Sequence, residues 1–371
     1  MALWDDIAAW GRGPADVADA ELATLRAETD QLVGDLDAAV ARIAELEAST
    51  SLKPALRGLV TTNPAYLSKI PYAEFCSSKP KWNDIETAPG VYDFTAVDAM
   101  LAAYPNVKFR LRFMAGIHAP QWVKDRSGGA IQHDPNGPNG GSGLVPRFWT
   151  DAYFVDYMAF MRAVAERYEG NPQVVEIPNS LTTTVYAEPF ILAADAATID
   201  RYWQAGYRKE LVEANLRASI DWMMTLFPTT RISLAGHGKW EHIVQGSGGP
   251  SDGQFASSWY DERTILNDLS AAYGPRLVIE DHGLGPEDAY YPVGQPRETA
   301  QNLYSYMSGL RNTEQTYGWQ FTLNGGSMVT AAEHGVAMGA CFLEYAAFEQ
   351  LDPVKRRQVH DALLANSEGK P

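Results

Sequence analysis

Residues 82–94 read WNDIETAPGVYDF, and the fold turns on this stretch. Its marked positions are Trp82, Ile85, Glu86, Gly90, Tyr92, Asp93 and Phe94. It stands between a short apolar run and a helix-period segment, and the same alternation repeats outward from it. The strands predicted in this way are 57–62 (RGLVTT), about 72–82, 107–114 (VKFRLRFM), 173–178 (QVVEIP), 231–236 (RISLAG), 276–281 (RLVIED), 318–323 (GWQFTL) and 339–345 (GACFLEY). Helices are predicted near 95–104, 150–169, 198–226, 257–273, 297–314, 327–336 and 353–366.

Eight strands, nearly all followed by helices, predict an α/β fold of the (β/α)8 TIM-barrel type, spanning residues 51–371. A doubly wound sheet would need a Gly-rich phosphate turn after the first strand, and TTNPAYL is not one. The long irregular segments 115–148, 179–197, 237–256 and 282–296 each follow a strand. They are expected at the C-terminal mouth of the barrel, where barrel sites lie.

The marked positions of 82–94 resemble a segment near the second strand of the clan A glycoside hydrolases, with Thr87 where Pro is usual. Two later segments keep the order of that family. Ala119, Pro120 and Trp122 look like its turn after the third strand. Tyr168, Asn171 and Pro172 are similar to its approach to the fourth. The resemblance implies a general acid near the end of the fourth strand, and Glu188 in YAEP is the candidate, although Ala187 replaces the usual Asn. It also implies a nucleophile on the seventh strand. There GWQFTLNGG offers only Gln320, Thr322 and Asn324, none of which can serve. Glu280, with Asp281 beside it, and Glu344 near the end of the eighth strand are the possible partners. A retaining pair stands about 5–5.5 Å apart and an inverting pair about 6.5–9.5 Å. Cleavage, binding without cleavage and a purely structural role all stay open on this reading.

Other residues of the predicted mouth could contact sugar. These are His118, His237 and His282, just after the third, fifth and sixth strands, the aromatics Trp122, Trp149, Trp240, Tyr290 and Tyr291, and Gln320 and Glu344. For each aromatic, core packing is the competing role. The histidines have no metal-site spacing, so no metal and no cofactor is expected. There is no GxSxG, P-loop or GxGxxG.

The first fifty residues read differently. One register over 21–48 puts Leu22, Thr29, Leu36 and Ile43 at a, and Leu25, Leu32, Ala39 and Leu46 at d. Glu21 with Arg26 and Arg42 with Glu47 supply the charges of a parallel coil, and Val33 and Val40 at e favour three strands. Residues 21–50 are therefore an expected coiled-coil stalk of a homotrimer. Residues 1–20, with Trp4, Ile7 and Trp10 at helical spacing, form an expected docking segment. The chain has no basic start and no apolar core of signal-peptide length there, and no apolar run reaches membrane-crossing length.

The net charge is −16, and residues 1–50 supply −8 of it, three Arg against eleven Asp and Glu. Such a charge argues against nucleic acid and against anionic lipid. Cys76 and Cys341 fall on non-neighbouring strands and are expected as buried free thiols. An acidic coil leading into a glycosidase-like barrel resembles the minor tail proteins of phages that infect actinobacteria. That resemblance implies a virion tail location, neighbouring tail proteins as partners, and a host cell-envelope glycan as ligand.

Overall fold

The computed structural model describes residues 52–134, 141–181, 184–185, 188–189, 191, 194–236, 240–249, 251–285, 303–321, 327–346 and 348–371. These belong to one of the two units of the chain, Leu52–Pro371. The predicted docking segment and coiled coil lie outside the described residues, as do His237, Tyr290, Tyr291, Thr322 and Asn324.

Eight parallel strands close into a barrel: β1 (Gly58–Thr61), β2 (Phe75–Ser78), β3 (Lys108–Leu111), β4 (Val174–Pro178), β5 (Arg231–Gly236), β6 (Leu277–Leu284), β7 (Tyr317–Phe321) and β8 (Phe342–Tyr345). Each pairs with its sequence neighbours, and β8 returns to β1 with Val60 opposite Glu344. This is the predicted (β/α)8 architecture. Helices cover the barrel outside, so outward strand positions such as Phe109, Leu111, Val175, Ile177, Ile279 and Leu343 are apolar and buried.

The main helices are α1 (Thr95–Ala103), α2 (Asp151–Tyr168), α3 (Ala196–Gln204), α4 (Lys209–Leu226), α5 (Trp259–Tyr273), α6 (Leu303–Gly309), α7 (Met328–Ala337) and α8 (Pro353–Asn366). Side-chain caps start several of them. Thr150 accepts from the Tyr153 N–H, Asp195 from Thr198, Ser258 from Asp261 and Ser327 from Val329. Asp352 accepts from Val354 and Lys355, with Pro353 at the first helical position.

The single helix predicted over 198–226 is two, α3 and α4. Gly206, at φ 91°, takes a left-handed conformation that ends the first one. Two segments predicted as irregular also carry structure. Segment 115–148 holds a helix, Gln121–Arg126, and a hairpin pairing Ile131–His133 with Gly143–Val145. Segment 237–256 enters a hairpin pairing Trp240–Gln245 with Gly253–Ser258. Strand β6 runs three residues past its predicted end, to Leu284.

The stretch 82–94 is a short helix, Trp82–Ile85, followed by a tight hairpin of Glu86–Ala88 with Val91–Tyr92. The hairpin turns at Gly90, φ 73°, a backbone state that favours glycine. Glu86 is buried, and its carboxylate accepts from the Trp82 Nε1 at 2.7 Å and from the Gly90 N–H at 2.9 Å. Trp82 is fully buried and stacks on Phe160 of α2 at 5.0 Å between ring centroids. The stretch therefore clamps the β2–α1 connection to α2. Cys76 and Cys341 are both free and buried. Among the described residues no helix is long and apolar enough to cross a membrane.

Candidate functional site

Register partners in a parallel sheet share a face. Ser77 is opposite Arg110, Arg110 opposite Glu176, Pro178 opposite Ser233, Ala235 opposite Glu280, and Gln320 opposite Glu344. The contacts among these side chains show that the shared face is the inner one. Barrels of this type are usually filled by branched apolar residues. Here the inside is ionic.

Arg110 is the hub. Its Nε donates to Glu176 Oε1 at 2.7 Å, and its Nη1 lies 2.7 Å from Glu280 Oε2 and 2.6 Å from Glu344 Oε2. Above it, Arg112 donates from Nη1 to Gln320 Oε1 at 3.1 Å and from Nη2 to Glu344 at 3.2 Å and Glu280 at 3.4 Å. The three Glu and both Arg side chains are buried. Glu344 thus belongs to the buried floor of the mouth.

The expected catalytic pair, Glu188 and Glu280, meets through a third residue. The His282 Nδ1 is hydrogen-bonded to Glu188 Oε1, and its Nε2 lies 3.1 Å from Glu280 Oε2. With a carboxylate on each ring nitrogen, the imidazolium is the form that satisfies both, donating twice. Burial and the nearby Arg112 push the His282 pKa down, but Glu188 and Glu280 outweigh them and the net shift is upward. Arg112 Nη2, 3.1 Å from Nε2, is then a like-charge neighbour whose cost the carboxylates offset.

The carboxylates follow the same logic. Burial raises the pKa of Glu188, and His282, Arg112 and Lys79 overcome this and hold it below the ordinary value. Glu280 is likewise desolvated, and Arg110, His282 and Arg112 hold it well below. Glu344 is held low by Arg112 and Arg110 against its own burial. Glu176 is the exception: burial, with repulsion from Glu280, lifts it to about 7 despite Arg110. Asp281, on the outer face of β6, is raised to about 7 by burial, and its Oδ1 accepts from the Gly283 N–H at 2.6 Å.

A glycosidic general acid must carry a proton at working pH, and its partner must reach a sugar carbon or a water. Glu188 is an anion paired to His282. Glu280, only 2 % exposed, is held by two guanidinium groups. An imidazole and two hydrogen bonds set the carboxylates roughly 6–7 Å apart. That is near the lower end of the inverting range, but the His282 ring fills the place a water would need. Strand β7, YGWQF, carries no carboxylate.

The other expected contacts disperse. Trp149 is corrected from a mouth residue to a core residue: it is 4 % exposed and enclosed edge-on by Phe148, Tyr202 and Tyr207. Trp240 is also buried and lines a cavity of about 30 Å³, far below a sugar subsite. Trp122 is half-buried on the helix after β3, with the Arg126 guanidinium 5.9 Å from its ring centroid. His118 is half-buried nearby, its pKa lowered by burial and by Lys81. Gln320 is half-buried at the end of β7, bonded to Arg112. Among the described residues no group of three His, Cys, Asp or Glu side chains is placed to hold a metal.

Arg110, Arg112, Glu176 and Lys79 are site residues that the sequence reading did not select. Their one local signal is in VKFRLRFM, where Arg110 and Arg112 alternate with Phe109, Leu111 and Phe113. In a barrel strand whose apolar face meets the helices, the alternate charges must point inside.

No family model and no curated protein matches the chain. Solved glycoside hydrolase structures are similar to it in fold. Endo-glycoceramidase II from Rhodococcus sp. is 16% identical with a TM-score of 0.46, over 84% of this chain and 81% of that one. A β-galactosidase from Bacillus circulans sp. alkalophilus is 12% identical with a TM-score of 0.47, over 79% of this chain and 50% of that one. The catalytic domain of β-amylase from Paenibacillus polymyxa is 11% identical with a TM-score of 0.49, over 83% of this chain and 94% of that one.

Proposed function

We propose that the barrel binds a glycan at its mouth without cleaving it. The observation that carries this is the His282 ring, which stands between Glu188 and Glu280 and keeps both as anions. Support for a sugar ligand comes from the three sequence segments that resemble clan A glycosidases. The heptads of residues 21–50 support presentation as a homotrimer, where three weak sites on one stalk raise avidity without new contacts. Together they favour a phage minor tail protein that holds a host cell-envelope glycan and contacts neighbouring tail proteins through its N-terminus.

The test pairs binding with product analysis on the full chain. Host envelope polysaccharide should bind and be recovered at its original length after prolonged incubation. Shortening of the polymer that disappears in Glu188→Gln would establish an active glycosidase instead. Binding to no envelope fraction would leave the purely structural role.

A further inference from the structure

One cation at the mouth, Lys79, acts on the carboxylates only at a distance. The Arg112 N–H donates to the Ser78 carbonyl at 2.8 Å, and the Met114 N–H to that of Pro80 at 2.8 Å. This ladder sets Lys79 level with Arg112, on the inner face. Arg110, Arg112 and His282 are each bonded to two or more carboxylate or amide groups of the site. Among the described residues Lys79 makes no hydrogen bond or ion pair.

Lys79 stands at the open end of the barrel interior, one residue beyond the end of β2. Its side chain is exposed, yet the surrounding protein is dense enough that burial, with Arg112, lowers its pKa against the pull of Glu344 and Glu188. The charge balance points the same way. Among the described residues, Lys79, Arg110, Arg112 and His282 are four cations facing Glu176, Glu188, Glu280 and Glu344, with Arg231 beside Glu176 on the next strand. Glu176 keeps its proton up to about pH 7, which leaves three anions for four cations at lower pH.

We propose that the glycan taken by this mouth is acidic, and that its carboxylate or phosphate group sits on Lys79, which acts as the specificity residue. This rests on the glycan reading above. A neutral sugar leaves a partly dehydrated ammonium without a partner, whereas an anion supplies a charge-assisted bond.

Calorimetric titration of the full chain with a uronate-bearing polysaccharide, a glycerol-phosphate polymer and a neutral polysaccharide tests it. One acidic polymer should bind at least about tenfold more tightly than the neutral one, and which of the two binds identifies the anion. Lys79→Gln should lose about tenfold, and Lys79→Glu all measurable binding. Lys79→Gln should stay folded with at most a small loss of melting temperature, while Lys79→Glu, which adds a carboxylate near Glu188 and Glu344, should melt lower, so the Gln variant carries the binding comparison. Neutral polymer binding as tightly as either acidic one, or Lys79→Gln binding as wild type, overturns the inference and leaves the glycan reading standing. Binding of none of the three overturns both.

Discussion

The shell between the barrel and α2 and the inside of the barrel are equally buried and built on opposite chemistry. In the shell, Trp82, Phe113, Tyr157, Phe160 and Tyr168 pack ring on ring, with polar ties at the rims from Trp82 to Glu86, from Tyr168 to Asp98 and from the Ser180 N–H to Tyr157. Such packing sums many small contacts, so its loss is graded. Inside, Arg110 pairs with three glutamate side chains at once. That arrangement is stable only when complete, because each missing charge strands another in low dielectric. The shell holds the fold, and the interior is a polar floor to the mouth.

The largest effect that would break this contrast is Arg110→Met. It leaves Glu176, Glu280 and Glu344 without their shared cation and should cost at least about 3–5 kcal/mol, read as a lower urea midpoint at pH 7. Trp82→Phe should cost less, about 2–3 kcal/mol, from lost ring volume and the lost donor to Glu86. Because Trp82 and Glu86 share one hydrogen bond, Trp82→Phe with Glu86→Gln should fall short of the sum of the single losses. If Trp82→Phe proves the more damaging change, the shell is the all-or-none part and the contrast is reversed.

The shell was also the more legible part. Residues 82–94 keep their polar side-chain ties within a few positions, Trp82 to Glu86 to Gly90, so a local pattern can encode the turn, while the ring contacts to α2 are long-range. The strands are visible because covered barrel strands are apolar runs between turns. The split of α3 from α4 was missed because Gly206 ends a helix only when its neighbours let it turn left-handed. The interior was mostly hidden. Arg110 reaches Glu176 across 66 positions and Glu344 across 234, and no spacing rule relates them. Glu188 and Glu280 stand out by the family positions they approach, but nothing local in the sequence marks His282 as the residue that joins them. Trp149 shows the opposite failure: an aromatic beside a long loop that the fold turns inward.

A smaller effect sharpens the contrast by pH. Glu188, Glu280 and Glu344, held low, contribute stability above their ordinary value of 4.5 that is lost as pH falls through their folded values. His282, held high, contributes fully below 6.5 and loses this as pH rises through its folded pKa. Glu176 and Asp281, both raised to about 7, are protonated in the fold where the unfolded chain is ionised, so stability falls from their ordinary values up to about pH 7 and is level beyond. These signs place the stability maximum near pH 5. Asp281 is separable from the network because it faces outward, and Asn keeps an oxygen for the Gly283 N–H. Asp281→Asn should match wild type near pH 4 and be more stable by roughly 1–2 kcal/mol at pH 8, after allowing for relaxation around the charge. Urea titrations at the two pH values measure this directly. An equal difference at both would mean that the carboxyl is ionised throughout, and that the outer face of β6 tolerates charge as the inner face does.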